Sequence, residues 1–159
     1  RHNPRSALRP AVSLNNSGPT AKDGYDLIRP RRLPKSLADV ARQHHGTLPV
    51  KYFYAKALKM SDGDVNIEEF SYSGPKPQTK IAAIVMIADT VEAACRAYMP
   101  DTQEGFVERV NKLVDEKLQL GQFDECPITM KDLSVIKTTI IETLPQVQHG
   151  RVSYEKKKA

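Results

Sequence analysis

Between residues 79 and 98 the chain is apolar at nearly every position: Ile81, Ala82, Ala83, Ile84, Val85, Met86, Ile87, Ala88, Val91, Ala93 and Ala94. This pattern predicts a helix that is apolar nearly all round, and therefore central and buried. Two later segments repeat apolar residues with a helical period. The first runs from about 103 to 119, with Phe106, Val110, Leu113, Val114 and Leu118 inward, Thr102 as its cap and Gly121 at its end. The second runs from about 130 to 147, opened by Thr129 with Asp132, with Leu133, Ile136, Ile140, Ile141 and Leu144 inward. Upstream, Ser36 with Asp39 reads as a capping signal, Leu37, Val40 and Ala41 share a face, and Gly46 ends a short helix. A helix over roughly 48–60 follows, with Pro49 in its first turn and Val50, Phe53, Tyr54, Ala57 and Leu58 inward, stopped by Ser61-Asp62-Gly63. Residues 62–79 are expected to form a long loop, and loops of that length are more often functional than neutral. Nothing alternates with period two for long, and there is no internal repeat. The fold class is an all-α bundle.

Residues 1–35 break this pattern. They hold five of the eleven prolines, and Asn15-Asn16-Ser17-Gly18-Pro19 reads as a turn. An irregular arm with a short helix near 21–28 is expected here, followed by a helical domain over 36–154 and a disordered tail at 155–159. Charge follows the same division. The arm carries eight Lys or Arg against Asp23 and Asp26, whereas the rest of the chain is close to neutral within a formal total of +5. The basic pI of about 9.2 therefore belongs to the arm, not to the body of the domain. With Tyr25 as the arm's aromatic residue, base stacking is poorly served, which ranks nucleic acid lowest among partners. Cys95 and Cys126 sit far apart in no metal spacing, as in a reduced cytosolic protein. No apolar run reaches the roughly 20 residues that cross a membrane. No signal-peptide pattern opens the chain, and it begins without Met, as expected of a processed form or a fragment.

Three residues suggest chemistry. Asp89 interrupts the most apolar helix, where a buried carboxylate is costly unless paired or bound to a metal. The alternative is a helix register in which Asp89 reaches solvent or pairs with Arg96. His44 and His45 stand together at a helix end; imidazole is a common metal ligand. Adjacent histidines project in different directions, so both serve one cluster only if it lies at that end. The plainer account is one histidine capping the helix and one in solvent. Asp62-Gly63-Asp64-Val65-Asn66 lacks the glycine and final glutamate of a calcium loop and reads as surface. There is no phosphate-binding glycine loop and no nucleophile elbow. No catalytic residue is assigned beyond the metal ligands.

Taken together, Gln43-His44-His45-Gly46-Thr47, Val50-Lys51-Tyr52-Phe53-Tyr54, Tyr72-Ser73-Gly74-Pro75-Lys76-Pro77-Gln78 and Ala88-Asp89-Thr90-Val91-Glu92-Ala93-Ala94 resemble the HD domain of the seven-transmembrane-HD phosphodiesterases. Gly121-Gln122-Phe123-Asp124-Glu125-Cys126 and Thr129-Met130-Lys131-Asp132-Leu133 are similar to that family too. The resemblance runs from about residue 33 to 154 and continues weakly before that, through Asn3-Pro4 and Lys22-Asp23-Gly24. It implies a helical HD fold, of which this chain is the C-terminal part. It implies two divalent transition metals, manganese or iron, and hydrolysis of cyclic di-AMP to pApA. By position, His44 and His45 would be metal ligands, and Asp89 the carboxylate ligand from the central helix. Gly74, Pro75, Lys76, Pro77 and Gln78 would border the substrate, with Lys76 offsetting phosphate charge. The resemblance also implies a cytoplasmic domain of a parent protein in the bacterial inner membrane, completed by the rest of the HD domain and a membrane-spanning region.

The chain departs from the family pattern at several positions. It contains no His-Asp pair. Thr20 stands where a further ligand histidine is expected, Ile81 replaces a common acidic residue, and Asn15 and Asn16 interrupt a normally apolar helix. Three ligands would hold one metal weakly and hardly two, so this chain alone is expected to show little activity. The alternative is an inactive HD module that binds the cyclic dinucleotide or serves a regulatory or structural role. An apolar face left open on the central helix would favour misfolding or self-association, including a homodimer.

Overall fold

The structure, a computed structural model, describes residues 21–28, 33–60 and 65–152. The expected turn at 15–19, Thr20, the Ser61–Gly63 stop and the tail at 155–159 lie outside the described residues. The regular elements among the described residues are all helices, with no strand among them. They form two compact units that divide between Lys76 and Pro77.

In the first unit, α1 (Ala21–Ile28) packs against α2 (Lys35–Gln43). The two approach closely at Gly24, where an added Cβ would lie 3.7 Å from that of Ala41. The Arg42 guanidinium lies over the Tyr25 ring at 5.7 Å. The expected Ser36 cap is corrected: Pro34 holds the N-cap position with extended backbone, so the helix starts at Lys35 and Ser36 falls inside its first turn. Lys35 pairs with Asp39 at 3.3 Å. Of the expected inner face, Leu37 is 51% exposed and Ala38 is buried in its place, whereas Val40 and Ala41 are half-buried. Gly46 takes the left-handed φ of 55° that the sequence reading assigned to it.

The third helix, α3 (Lys51–Met60), starts later than expected, and Pro49 is not in its first turn. Residues 48–50 are instead extended and bridged to 70–72. Pro49 pairs with Ser71, Val50 N–H donates to Phe70 O at 2.7 Å, and Tyr72 N–H donates to Leu48 O at 3.1 Å. Pro49 lacks an N–H, so an isolated bridge flanked by these two bonds suits it. The stretch expected to be a structureless loop therefore contains a 3₁₀ turn, Ile67–Phe70, capped by Asn66 Oδ1 accepting from Glu68 N–H at 3.0 Å.

The second unit contains α4 (Lys80–Ala97), α5 (Gln103–Gln119) and α6 (Met130–Val152). Each begins with a threonine cap. Thr79 Oγ1 accepts from Ala82 N–H at 3.2 Å, and Thr102 Oγ1 accepts from Gly105 N–H at 3.1 Å. Thr129 and Asp132 cap reciprocally: Asp132 N–H donates to Thr129 Oγ1 at 3.1 Å and Thr129 N–H to Asp132 Oδ2 at 2.8 Å. Lys80 pairs with the same carboxylate at 2.8 Å, linking the starts of α4 and α6. Gly121 closes α5 at φ 61°. Arg109 from α5 donates to Ala94 O at 3.0 Å and Tyr98 O at 2.6 Å, satisfying carbonyls at the end of α4.

Met86, Ile87, Val91, Phe106, Val110, Val114 and Leu133 are fully buried. Each such side chain stabilises the fold by about 1.5–3 kcal/mol relative to exposure. The expectation that α4 is buried all round is corrected. Ala82, Ala83, Met86, Ile87, Val91 and Cys95 form its inner face, whereas Ile81, at 62% exposure, Ile84 and Ala88 face outward. Composition alone hid a one-sided helix. Among the described residues, no helix is long and apolar enough to cross a membrane.

Candidate metal centre

Helix α2 ends at Gln43, and the turn after it carries both histidines, half-buried. His44 Nδ1 lies 3.1 Å from Val40 O, the carbonyl that also accepts the His44 backbone N–H at 3.0 Å. A carbonyl only accepts, so Nδ1 is the donor in this bond, and in the neutral imidazole Nε2 then keeps its lone pair. A histidine anchored on a carbonyl through one nitrogen, with the other left to coordinate, is the usual arrangement of a metal ligand. The plainer account of the sequence holds in part too, since this bond caps α2.

The two rings come together although adjacent side chains were expected to diverge. Their centroids are 3.9 Å apart, with planes inclined by 39°. His45 is also stacked on Tyr72, at 4.4 Å and 11°. The bridge between 48–50 and 70–72 brings that ring there. Tyr72 had no assigned role in the sequence reading, because nothing local joins it to His45. The Val40 carbonyl was equally invisible, being backbone.

Gly74 packs on the same turn. Its φ is 79°, and a Cβ there would lie 3.2 Å from Thr47 Cγ2 and 3.9 Å from Gly46 O. Only glycine meets both conditions without strain. Of the other expected substrate-loop residues, Pro75 and Lys76 are half-buried, Pro77 is buried, and exposed Gln78 donates to Glu125.

Asp89 belongs to the second unit, midway along α4. The expectation that it is buried is corrected: it is exposed, on the face of Ile81, Ile84 and Ala88. Burial cost therefore gives no reason for its presence. Arg96 pairs with Glu92 at 3.6 Å, not with Asp89, which has no hydrogen bond or ion pair among the described residues. His44 and His45 offer two imidazoles on the first unit and Asp89 a carboxylate on the second, donor types that suit a transition-metal ion.

The other reactive groups are occupied elsewhere. Burial pushes the Cys95 thiol above its ordinary pKa, which disfavours the reactive thiolate. Cys126 Sγ donates weakly to Phe123 O at 3.5 Å. An open groove of about 380 Å³ at the start of α5 is lined by Tyr98, Thr102, Arg109 and Lys112 among others. It contains no histidine, and its arginine is committed to the end of α4.

The helical fold matches two crystal structures of the HD domain of the Listeria monocytogenes phosphodiesterase PgpH, at TM-scores of 0.79 and 0.81 and 38% identity. The matches cover 93% and 92% of this chain and 69% and 68% of those chains, and the second structure is a complex with cyclic-di-AMP. The fold is thus that of an HD domain. Among curated sequences, the chain is 43% identical to the cyclic-di-AMP phosphodiesterase PgpH of Bacillus subtilis (strain 168) and 40% identical to that of Listeria monocytogenes. Each match covers 96% of this chain and 21% of the relative, so the chain spans about a fifth of their length. An uncharacterized Synechocystis protein is 30% identical over 92% of the chain. No family model matches. The chain belongs to the HD-domain family of the PgpH cyclic-di-AMP phosphodiesterases.

Proposed function

We propose that this chain supplies part of the metal centre of a metal-dependent phosphodiesterase that hydrolyses cyclic di-AMP to pApA. The observation that carries this reading is the His44 anchor: with Nδ1 bonded to Val40 O, Nε2 is the nitrogen left for a metal. The relative of similar fold solved with cyclic-di-AMP supports the choice of substrate. His44, His45 and Asp89 are assigned as ligands of manganese or iron. When bound, such ions polarise a phosphate and lower the pKa of a coordinated water, giving hydroxide at neutral pH. Residues 74–78 border the substrate, and Lys76 offsets its phosphate charge.

In this reading residues 36–154 are the C-terminal part of the HD domain, 1–35 its degenerate start, and 155–159 a tail. The remaining ligands come from elsewhere in a longer protein with a membrane-spanning region in the bacterial inner membrane, the HD domain being cytoplasmic. A homodimer through the open face of α4 is part of the same proposal, and nucleic acid is not a partner. The source of the remaining ligands is supported by the coverage, since about a third of the solved HD domain lies outside the match.

The test is cyclic di-AMP binding by the chain with and without manganese, with turnover to pApA followed by chromatography. Binding should require the metal and weaken by about tenfold or more in His44→Ala, His45→Ala and Asp89→Asn. Turnover by the chain alone should be slight. Metal-dependent binding that ignores all three substitutions would overturn the ligand assignment. Robust turnover abolished by His45→Ala would overturn the expectation that the centre is incomplete.

A further inference from the structure

Tyr72 is the residue whose geometry most exceeds what packing requires. Its ring lies nearly parallel to the His45 imidazole, at 4.4 Å and 11°. Its backbone is held at the same time: Tyr72 N–H donates to Leu48 O at 3.1 Å, next to the Pro49–Ser71 bridge. The ring therefore projects from a fixed base onto a histidine carried by a separate stretch of chain. His44 is oriented differently, by the bond from Nδ1 to Val40 O.

An imidazole coordinates along a lone pair in its own plane, so the tilt of the ring decides where a metal sits. A flat neighbour at van der Waals distance restricts that tilt. Coordination also draws electron density from the imidazole and leaves it partly positive. The electron-rich face of a phenol ring attracts such a group more than it attracts the neutral ring.

We propose that Tyr72 is a positioning residue for the metal centre: its stacked ring fixes the plane of His45 and favours the metal-bound imidazole over the free one. This rests on the metal reading above. The flat face performs this role, so phenylalanine should replace tyrosine and an aliphatic side chain should not.

The experiment is a cobalt(II) titration of the chain, read from the visible absorption of the bound ion, with helix content checked by circular dichroism. Wild type and Tyr72→Phe should bind with the same affinity and the same spectrum. Tyr72→Leu should bind about tenfold or more weakly, with a shifted spectrum and unchanged helix content. If Tyr72→Leu does not fold, Tyr72→Met takes its place with the same expectation. Loss of affinity in Tyr72→Phe equal to that in the aliphatic variant would overturn the stacking role. So would wild-type affinity and spectrum in the aliphatic variant while His45→Ala weakens binding. Cobalt binding that His45→Ala leaves untouched would overturn the metal reading beneath it, and the proposal with it.

Discussion

The two compact units solve the same problem in different ways. The second, from Pro77 onward, is held by apolar side chains on three capped helices, with Phe106, Val110 and Val114 of α5 fully buried. The first relies more on backbone pairing between stretches distant in sequence, 48–50 with 70–72, and on small residues such as Ala38, Ala57 and Gly46. Both histidines lie on the first. A site built on a bridged turn depends on backbone geometry more than on buried area, so the two units should respond to different substitutions.

The largest effect is expected in the second unit. Phe106 is 1% exposed, and Phe106→Ala should cost about 3–5 kcal/mol in urea denaturation. A loss below about 1 kcal/mol would mean that α5 does not organise the unit through its core.

A smaller but more local effect is expected at the histidine turn. Gly74→Ala must adopt a positive φ and place its methyl 3.2 Å from Thr47 Cγ2. The backbone strain alone costs about 1–2 kcal/mol. Faster amide exchange at Val50 and Tyr72, whose N–H groups make the two bonds flanking the bridge, should accompany it. An unchanged exchange pattern would show that the turn is held by something other than this packing.

The smallest effect concerns the joint between α4 and α6. Hydrogen bonding from Lys80, and then from the Thr129 backbone and hydroxyl, lowers the Asp132 carboxyl from its ordinary 3.8 to about 2. A depressed carboxylate stabilises the folded state above its unfolded pKa and loses that contribution as pH falls through the folded one. Asp132→Asn should therefore lower Tm at neutral pH, with the gap to wild type narrowing below about pH 4 and closing near pH 2. A gap constant with pH would place the stabilisation in packing, not charge.

The same contrast explains what could be read from the chain. Thr102 and Thr129 with Asp132 marked their helices because a cap is local, and Gly46 and Gly121 marked ends for the same reason. The helical class and the family were legible in that way. The outward position of Asp89 stood only as the alternative to burial, because a helix apolar on nearly every side gives no register from composition. Not legible was the bridge that seats Pro49 against Ser71, whose partners are separated by all of α3 and the 3₁₀ turn. The two histidines stood out by type, while the contacts that orient them, Val40 O and the Tyr72 ring, carried no signal of their own.

The bridge also sets an order of events during synthesis. The ribosome releases the chain from the N-terminus, so His44 and His45 emerge well before Tyr72 and the strand-like stretch beside it. Until residue 72 is free to pair with Leu48, the Tyr72 ring cannot stack on His45. A nascent chain therefore displays its histidine pair, with His44 already able to anchor on Val40 O, before the tyrosine face that restricts the His45 ring has emerged.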